Sequence, residues 1–224
     1  MNYIYIITLH NHTTSIVHID RFKLRILLVM SKDRVSNIEV PYVPVNVYDN
    51  TQRNQQEGEL HELQFRNLCL SKGWTFQLAS RDQNINDHID CFITTPSGCS
   101  SVDVKAPKRI SRKNHNGSWC QVQDEYMWCE WTTVNGSPGW ARSNVEWVAF
   151  GLLNGSFLMV YRPELSYYLK KMIDLWHSKG ARKAKHPRNA VNGCLWTRYG
   201  RQDEVTLIHK AFLMGLYNTK VLSW

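Results

Sequence analysis

Residues 88–107 read HIDCFITTPSGCSSVDVKAP, and within them Asp90, Asp103 and Lys105 have the types and spacing to do chemistry. Two apolar runs flank a Pro-Ser-Gly turn, and each run carries an aspartate where a strand would ordinarily hold an apolar residue. Alternate side chains of a strand share a face. That parity puts Ile89 and Cys91 on one face and Asp90 on the other. It also turns Val102 and Val104 to a core, with Asp103 and Lys105 opposite. Pairing of the two runs as a hairpin gathers Asp90, Asp103 and Lys105 on one polar face. Two carboxylates held together repel, and a cation between them relieves the repulsion. Oxygen-only ligation suits Mg²⁺ or Mn²⁺, with water filling the remaining positions. A lysine beside such a site can orient a water and stabilise charge that develops on a phosphate. An isolated Asp-x-Lys is more often a solvated strand with a surface ion pair, so the surrounding elements decide between the two.

The segment EGELHELQFRNLCLSKG, from Glu57, spaces Leu60, Leu63, Phe65, Leu68 and Leu70 at roughly helical intervals, and Gly73 stops it. WTFQLAS follows as a strand, then HIDCFITT and SSVDVKAP. After the basic loop KRISRKNHNGS, EYMWCEWTTV reads as a strand and NGSPGW as a turn. NVEWVAFGLL and SFLMVYR flank a turn at Asn154–Gly155. Pro163 opens the helix PELSYYLKKMIDLWHSKG, which ends at Gly180. ARKAKHPRNAV is a basic linker, and LWTRYGRQDEVTLIHKAFL closes the chain as one or two strands. Upstream, YIYIITL and KLRILLVM read as short strands before an extended, proline-containing polar stretch. This division gives an N-terminal extension over 1–55, a core over 56–180 and a basic C-terminal extension over 181–224.

The chain has 224 residues, of which 43% are hydrophobic, enough for a real core. Its net charge of +8 favours a polyanionic partner, nucleic acid ahead of an anionic membrane. No stretch approaches the roughly 20 apolar residues of a membrane span. The opening MNYIYIITLHNH lacks a basic n-region and a small-residue cleavage site and is not read as a signal peptide. None of the six cysteines forms a Cys-x-x-Cys pair, so a structural zinc site is not expected. They read as reduced, mostly buried thiols of an intracellular, cytoplasmic protein. The chain has neither a phosphate-binding Gly-x-x-x-x-Gly-Lys-Ser/Thr loop nor a Gly-x-Ser-x-Gly elbow.

The order helix, strand, strand, strand, with a glutamate on the helix, Asp90 on the next-to-last strand and Asp103-x-Lys105 on the last, resembles the PD-(D/E)xK nuclease superfamily. GELHE, from Gly58 to Glu62, followed by SKGW, is similar to the first helix of archaeal Holliday-junction resolvases. The size of the chain and its GSPGW and YGR segments look like small phage-encoded nucleases. The resemblance covers residues 56–110. It implies an α/β fold with a restriction-endonuclease-like core: helix, three strands, helix, strand, with a mixed central sheet flanked by helices.

The activity implied is Mg²⁺- or Mn²⁺-dependent hydrolysis of double-stranded or branched DNA, endonucleolytic, in DNA processing, recombination or repair. Asp90, Asp103, the Val104 carbonyl and Glu62 match the metal ligands, and Lys105 matches the catalytic lysine. Glu59, less than one turn from Glu62, is its rival. Ile89 stands where the family motif has proline. Gln121, Gln123 and Glu130 are candidates to assist. Lys108, Arg109, Arg112 and Lys113 follow the site and suit the flanking phosphates. Arg182, Lys183 and Lys185, with Lys179 and Arg188, form a second basic group. Trp119 and Trp140 are candidates to stack on bases, with packing at a sheet edge as the commoner role. Three alternatives remain at this level: a junction-specific resolvase acting as a homodimer, a non-catalytic nucleic-acid-binding protein that keeps the fold, and a basic structural or assembly protein in which the site is coincidence.

Overall fold

A computed structural model describes residues 3–9, 13–20, 23–27, 53–110, 120–180 and 182–224. The chain divides into two compact units, residues 1–50 and 51–224. In the first, β1 (Tyr3–Leu9), β2 (Thr13–Asp20) and β3 (Lys23–Leu27) form an antiparallel meander. Both strands expected here are present, and β2 lies between them. Arg112, Lys113 and Trp119 fall outside the described residues.

The second unit begins with α1 (Arg53–Ser71), a few residues before the expected helix start. It continues through β4 (Thr75–Leu78), α2 (Arg81–Asp87), β5 (Cys91–Thr95) and β6 (Gly98–Lys105). Next come β7 (Tyr126–Thr132), a 3-10 turn at Trp140–Arg142, β8 (Trp147–Gly151), β9 (Phe157–Tyr161) and α3 (Arg162–Ser178). β10 (Glu204–His209), α4 (Lys210–Met214) and β11 (Thr219–Leu222) finish the chain. The fold is mixed α/β. Its central sheet has six strands in the order β11-β9-β8-β6-β5-β4, and β6–β8 is its parallel pair. β7 and β10 pair separately as an antiparallel ribbon.

Period-two alternation buries both faces of the sheet. Val148, Phe150, Leu158 and Val160 pack with Leu165 and Leu169 of α3 and with Met127 and Ile208 of the ribbon. Val102, Val104, Ala149, Phe157 and Met159 pack with Phe65, Leu68 and Cys69 of α1. That spacing of i, i+3, i+4 defines the inward stripe of α1. Leu60, Leu63 and Leu70, expected to share it, are about half exposed at 52%, 50% and 48%. The correction has a simple cause: at 100° per residue they lie on a different face from Phe65 and Leu68.

Four further expectations change. α2 replaces loop between β4 and β5, and it starts with a capping box: Ser80 Oγ accepts from Gln83 N while Gln83 Oε1 accepts from Ser80 N. The second helix of the expected order is displaced. Among the described residues the crossover from β6 to β8 runs through β7 and the 3-10 turn and contains no α-helix, and α3 follows β9. Residues 181–224 are not an appendage but part of the same unit as 51–180, because β10 pairs with β7 and β11 with β9. The closing residues AFL lie on α4 rather than on a strand. Trp176 of α3 is half-buried and donates to Asn192 O at 2.9 Å.

Gly193 joins this C-terminal part to α3. Its φ is +87°, and a Cβ there would stand 2.6 Å from the Met172 carbonyl carbon. Gly193→Ala should cost about 2–4 kcal/mol, from a backbone clash and left-handed strain together. A urea midpoint close to wild type would contradict that packing. Glu164, in the first turn of α3, accepts from the backbone amides of Tyr217 and Asn218 at 3.0 and 2.9 Å. Those bonds hold its carboxyl below the usual range even though its slight burial works the other way. Glu164→Ala should cost about 1 kcal/mol at neutral pH, the cost shrinking in acid as the wild-type carboxylate takes a proton. A thermal melt at pH 7 and pH 3 reads it.

Among the described residues no helix is long and apolar enough to cross a membrane. The six cysteines are free thiols, and Cys69, Cys91, Cys129 and Cys194 are buried.

Candidate active site

Asp103 sits in the middle of the sheet, next to β8 in the parallel pair, with 1% of its surface exposed. Its Oδ1 accepts from Lys105 Nζ at 2.5 Å. Its Oδ2 is buried without any hydrogen-bond donor. Burial raises its pKa most, Lys105 opposes that, and the neighbouring Asp90 charge adds to it, leaving the carboxyl well above its usual range.

Asp90 reaches this pair from one residue ahead of β5. β5 begins only at Cys91, just after His88, which caps α2 in the left-handed conformation at φ 57°. Ile89 therefore packs in the cluster with Val148, and Cys91 in the cluster with Phe65. The two do not share a face as expected. Asp90 extends the ladder instead: its N–H donates to Val102 O at 3.0 Å, and its Oδ2 accepts from Val104 N at 2.7 Å. Its Oδ1 accepts from Asn84 Nδ2 at 2.7 Å. Asn84 lies on α2 and aims Asp90; the Ser-x-x-Gln of the capping box was the sequence signal for that helix.

On α1 the structure chooses Glu62 over Glu59. Glu59 is exposed and accepts from Gln55 Nε2 at 3.0 Å. Glu62 is half-buried, and its carboxyl is pushed up to about 7, by burial first, then by Asp90, with Lys105 opposing and Glu59 adding a little. Burial pulls Lys105 down, but Asp103 and Asp90 outweigh it, so its ammonium is held above the ordinary value. The structure thus brings Asp90, Asp103, Lys105 and Glu62 into one electrostatic group.

The donor set is all oxygen, and the Asp103 oxygen without a donor faces a second carboxylate, an arrangement suited to a hard divalent cation. Among the described residues no three His, Cys, Asp or Glu side chains already stand in metal-ligating geometry. Two carboxylates, the Val104 carbonyl and waters would make up the set, with Glu62 acting at longer range.

Lys105 also lines a cleft of about 290 Å³ between the end of β6 and the β7–β10 ribbon. Its walls include Tyr126, Trp128, Trp140, Phe150 and Trp196. Trp128 and Trp196 lie with ring centroids 6.0 Å apart. Lys108, Arg198, Glu130 and Asp203 bring charge to it. Lys108 is exposed by surface area, yet protein atoms crowd its ammonium. That crowding, and then the charge of Lys105, hold it below its ordinary pKa.

The other predicted residues are placed differently. Gln123 spends its amide on backbone, donating to Lys108 O and Tyr126 O and accepting from Tyr126 N. Gln121 is exposed. Arg109 donates from Nε to Cys120 O at 2.7 Å, which ties down the end of the basic loop. Lys183 pairs with Glu204 at 2.7 Å, while Arg182 and Lys185 are exposed. Trp140 is buried at 5% exposure, edge-on to Phe150, so its packing role is the one observed. Searches of protein-family models, curated proteins and solved structures yield no match to this chain.

Proposed function

We propose that the chain is a divalent-cation-dependent nuclease with a restriction-endonuclease-like core, hydrolysing DNA phosphodiester bonds endonucleolytically. One observation carries the reading: a fully buried Asp103 oxygen without a donor, set against Asp90 and beside Lys105. A structural ion pair does not need the second carboxylate, which only raises the cost of burial. The succession α1, β4, β5, β6 and the parallel partner β8 supports the fold assignment.

Asp90, Asp103 and the Val104 carbonyl are the residues that would hold Mg²⁺ or Mn²⁺. When bound, the cation supplies Lewis-acid polarisation of the phosphate and a more acidic water. Asn84 and the Val104 amide keep Asp90 oriented. Lys105 offers a fixed positive charge to the non-bridging oxygens as negative charge builds on them. Glu62, titrating near neutrality, can hold or release a proton close to the attacking water. Lys108 and the exposed Arg182 and Lys185 provide phosphate contacts without sequence readout.

The test is incubation with linear, nicked, single-stranded and four-way-junction DNA, with Mg²⁺, with Mn²⁺ and with EDTA. Cleavage with either metal and none in EDTA is expected. Binding without cleavage of any substrate in either metal overturns the enzyme reading. That outcome would favour a non-catalytic nucleic-acid-binding protein, a second reading that the direct Lys105–Asp103 pair supports. Preferential cleavage of the junction by a twofold dimer would identify a resolvase.

A further inference from the structure

The aromatic cleft beside Lys105 is not used by the chemistry above. It meets the acid group at Lys105, which both bonds Asp103 and lines the cleft. Its size lies at the small end of ligand sites, enough for one planar ring system rather than a stacked pair.

Three features limit what enters. Lys105 Nζ already stands 5.7 Å from the centre of the Trp140 ring, so the cleft has a resident cation and is no cage for another. Trp128 and Trp196 are too close together to admit a ring between them, so a planar guest stacks on Trp196, which is only half-buried. Asp203 is fully buried at the cleft wall. Its Oδ2 is bonded to Arg198 Nε, while Oδ1 has no hydrogen-bond partner. A carboxylate oxygen in that state calls for an N–H donor, such as the exocyclic amine of cytosine or adenine.

We propose that this cleft takes one unstacked DNA base, stacked on Trp196 and donating to Asp203, with its phosphate directed to Lys105 and Lys108. The inference names the substrate state for the nuclease reading and rests on it: the bond cut would lie next to a base drawn out of the helix. Extruding a base costs least at single-stranded or mismatched positions. Such positions are therefore the preferred substrates.

The experiment uses the full chain in EDTA, so that cleavage plays no part. The probes are short DNA duplexes carrying 2-aminopurine at a matched or a mismatched position, and the same strand alone. Wild type should change the 2-aminopurine emission at the mismatch and in the single strand, and bind both more tightly than the matched duplex. Trp196→Ala should lose about tenfold in affinity for the mismatch, and Trp196→Phe, which keeps a stacking ring, about threefold or less. Asp203→Asn should bind 2-aminopurine and cytosine with altered preference. Equal affinity for matched and mismatched duplexes overturns the proposal, as does equal behaviour of Trp196→Ala and Trp196→Phe. Loss of cleavage in metal with intact binding here would count against the nuclease reading alone.

Discussion

Asp103→Asn is expected to lower cleavage by at least about a hundredfold while leaving the stability of the metal-free chain within about 1 kcal/mol of wild type. The two effects separate because they have different origins. The charge that would hold a cation disappears with the substitution. The same charge is a burden to the metal-free fold, since burial and Asp90 both oppose it. Lys105 keeps the Asp90 carboxylate as a partner. Lys105→Ala removes the other half of the pair and should behave differently. It leaves a carboxylate that is 1% exposed without its counter-charge, and breaking such a pair costs about 3–5 kcal/mol at pH 8. The penalty should be smaller at lower pH, where Asp103 more readily holds a proton, so pH 8 is compared with pH 5. Urea midpoints in EDTA at the two pH values, with cleavage assays in Mg²⁺, distinguish the two variants. An active Asp103→Asn protein would remove the metal site from consideration. Titration of Mn²⁺ by calorimetry gives a reading independent of activity, and Asp103→Asn should abolish its heat.

Glu62→Gln should stabilise the metal-free protein at pH 8 and impair it as an enzyme. The folded-state pKa of Glu62 lies near 7 against an ordinary 4.5. The folded chain therefore binds this proton more tightly than the unfolded chain does. Stability is highest below the ordinary value, falls as pH rises between about 4.5 and 7, and is lowest above. The full shift corresponds to about 3 kcal/mol, and partial solvent contact reduces it to roughly 1–3. The amide avoids that cost, so the gain over wild type should be present at pH 8 and vanish by pH 4. Loss of stability at pH 8 would mean that the carboxylate is held by favourable contacts instead. A more stable and less active variant is the expected signature of a group retained for function against stability.

Much of the acid group could be read without coordinates. A two-strand hairpin with a tight turn brings residues thirteen positions apart into register, so the approach of Asp90 to Asp103 follows from local sequence. So does the pairing of Asp103 with Lys105, two residues along one strand. Parity failed only at Ile89, because the left-handed His88 turns the chain just before the strand starts. α2 was legible in Ser80-x-x-Gln83, but seven residues give too short an apolar period to announce a helix. The leucines of α1 misled because each fits a helical interval, while burial depends on which stripe the sheet accepts.

The sequence by itself determined the strands of the hairpin, the helix that carries Glu62, the basic balance and the trio of Asp90, Asp103 and Lys105. All of these depend on contacts between neighbours in the chain or on counting residue types. Only the tertiary structure decided that Asp103 is buried with one oxygen lacking a donor, that Glu62 is the helical acid in the field of Asp90 and Lys105, and that Asn84 holds Asp90. It also decided that residues 181–224 complete the core, through the pairing of β10 with β7 and of β11 with β9. The aromatic cleft is the clearest case. Trp196 comes from a segment far along the chain from Trp128 and Trp140, and nothing in the local pattern around it records that it will face them. Burial and charge coupling depend on the whole packed arrangement, so they arise only when the fold is complete.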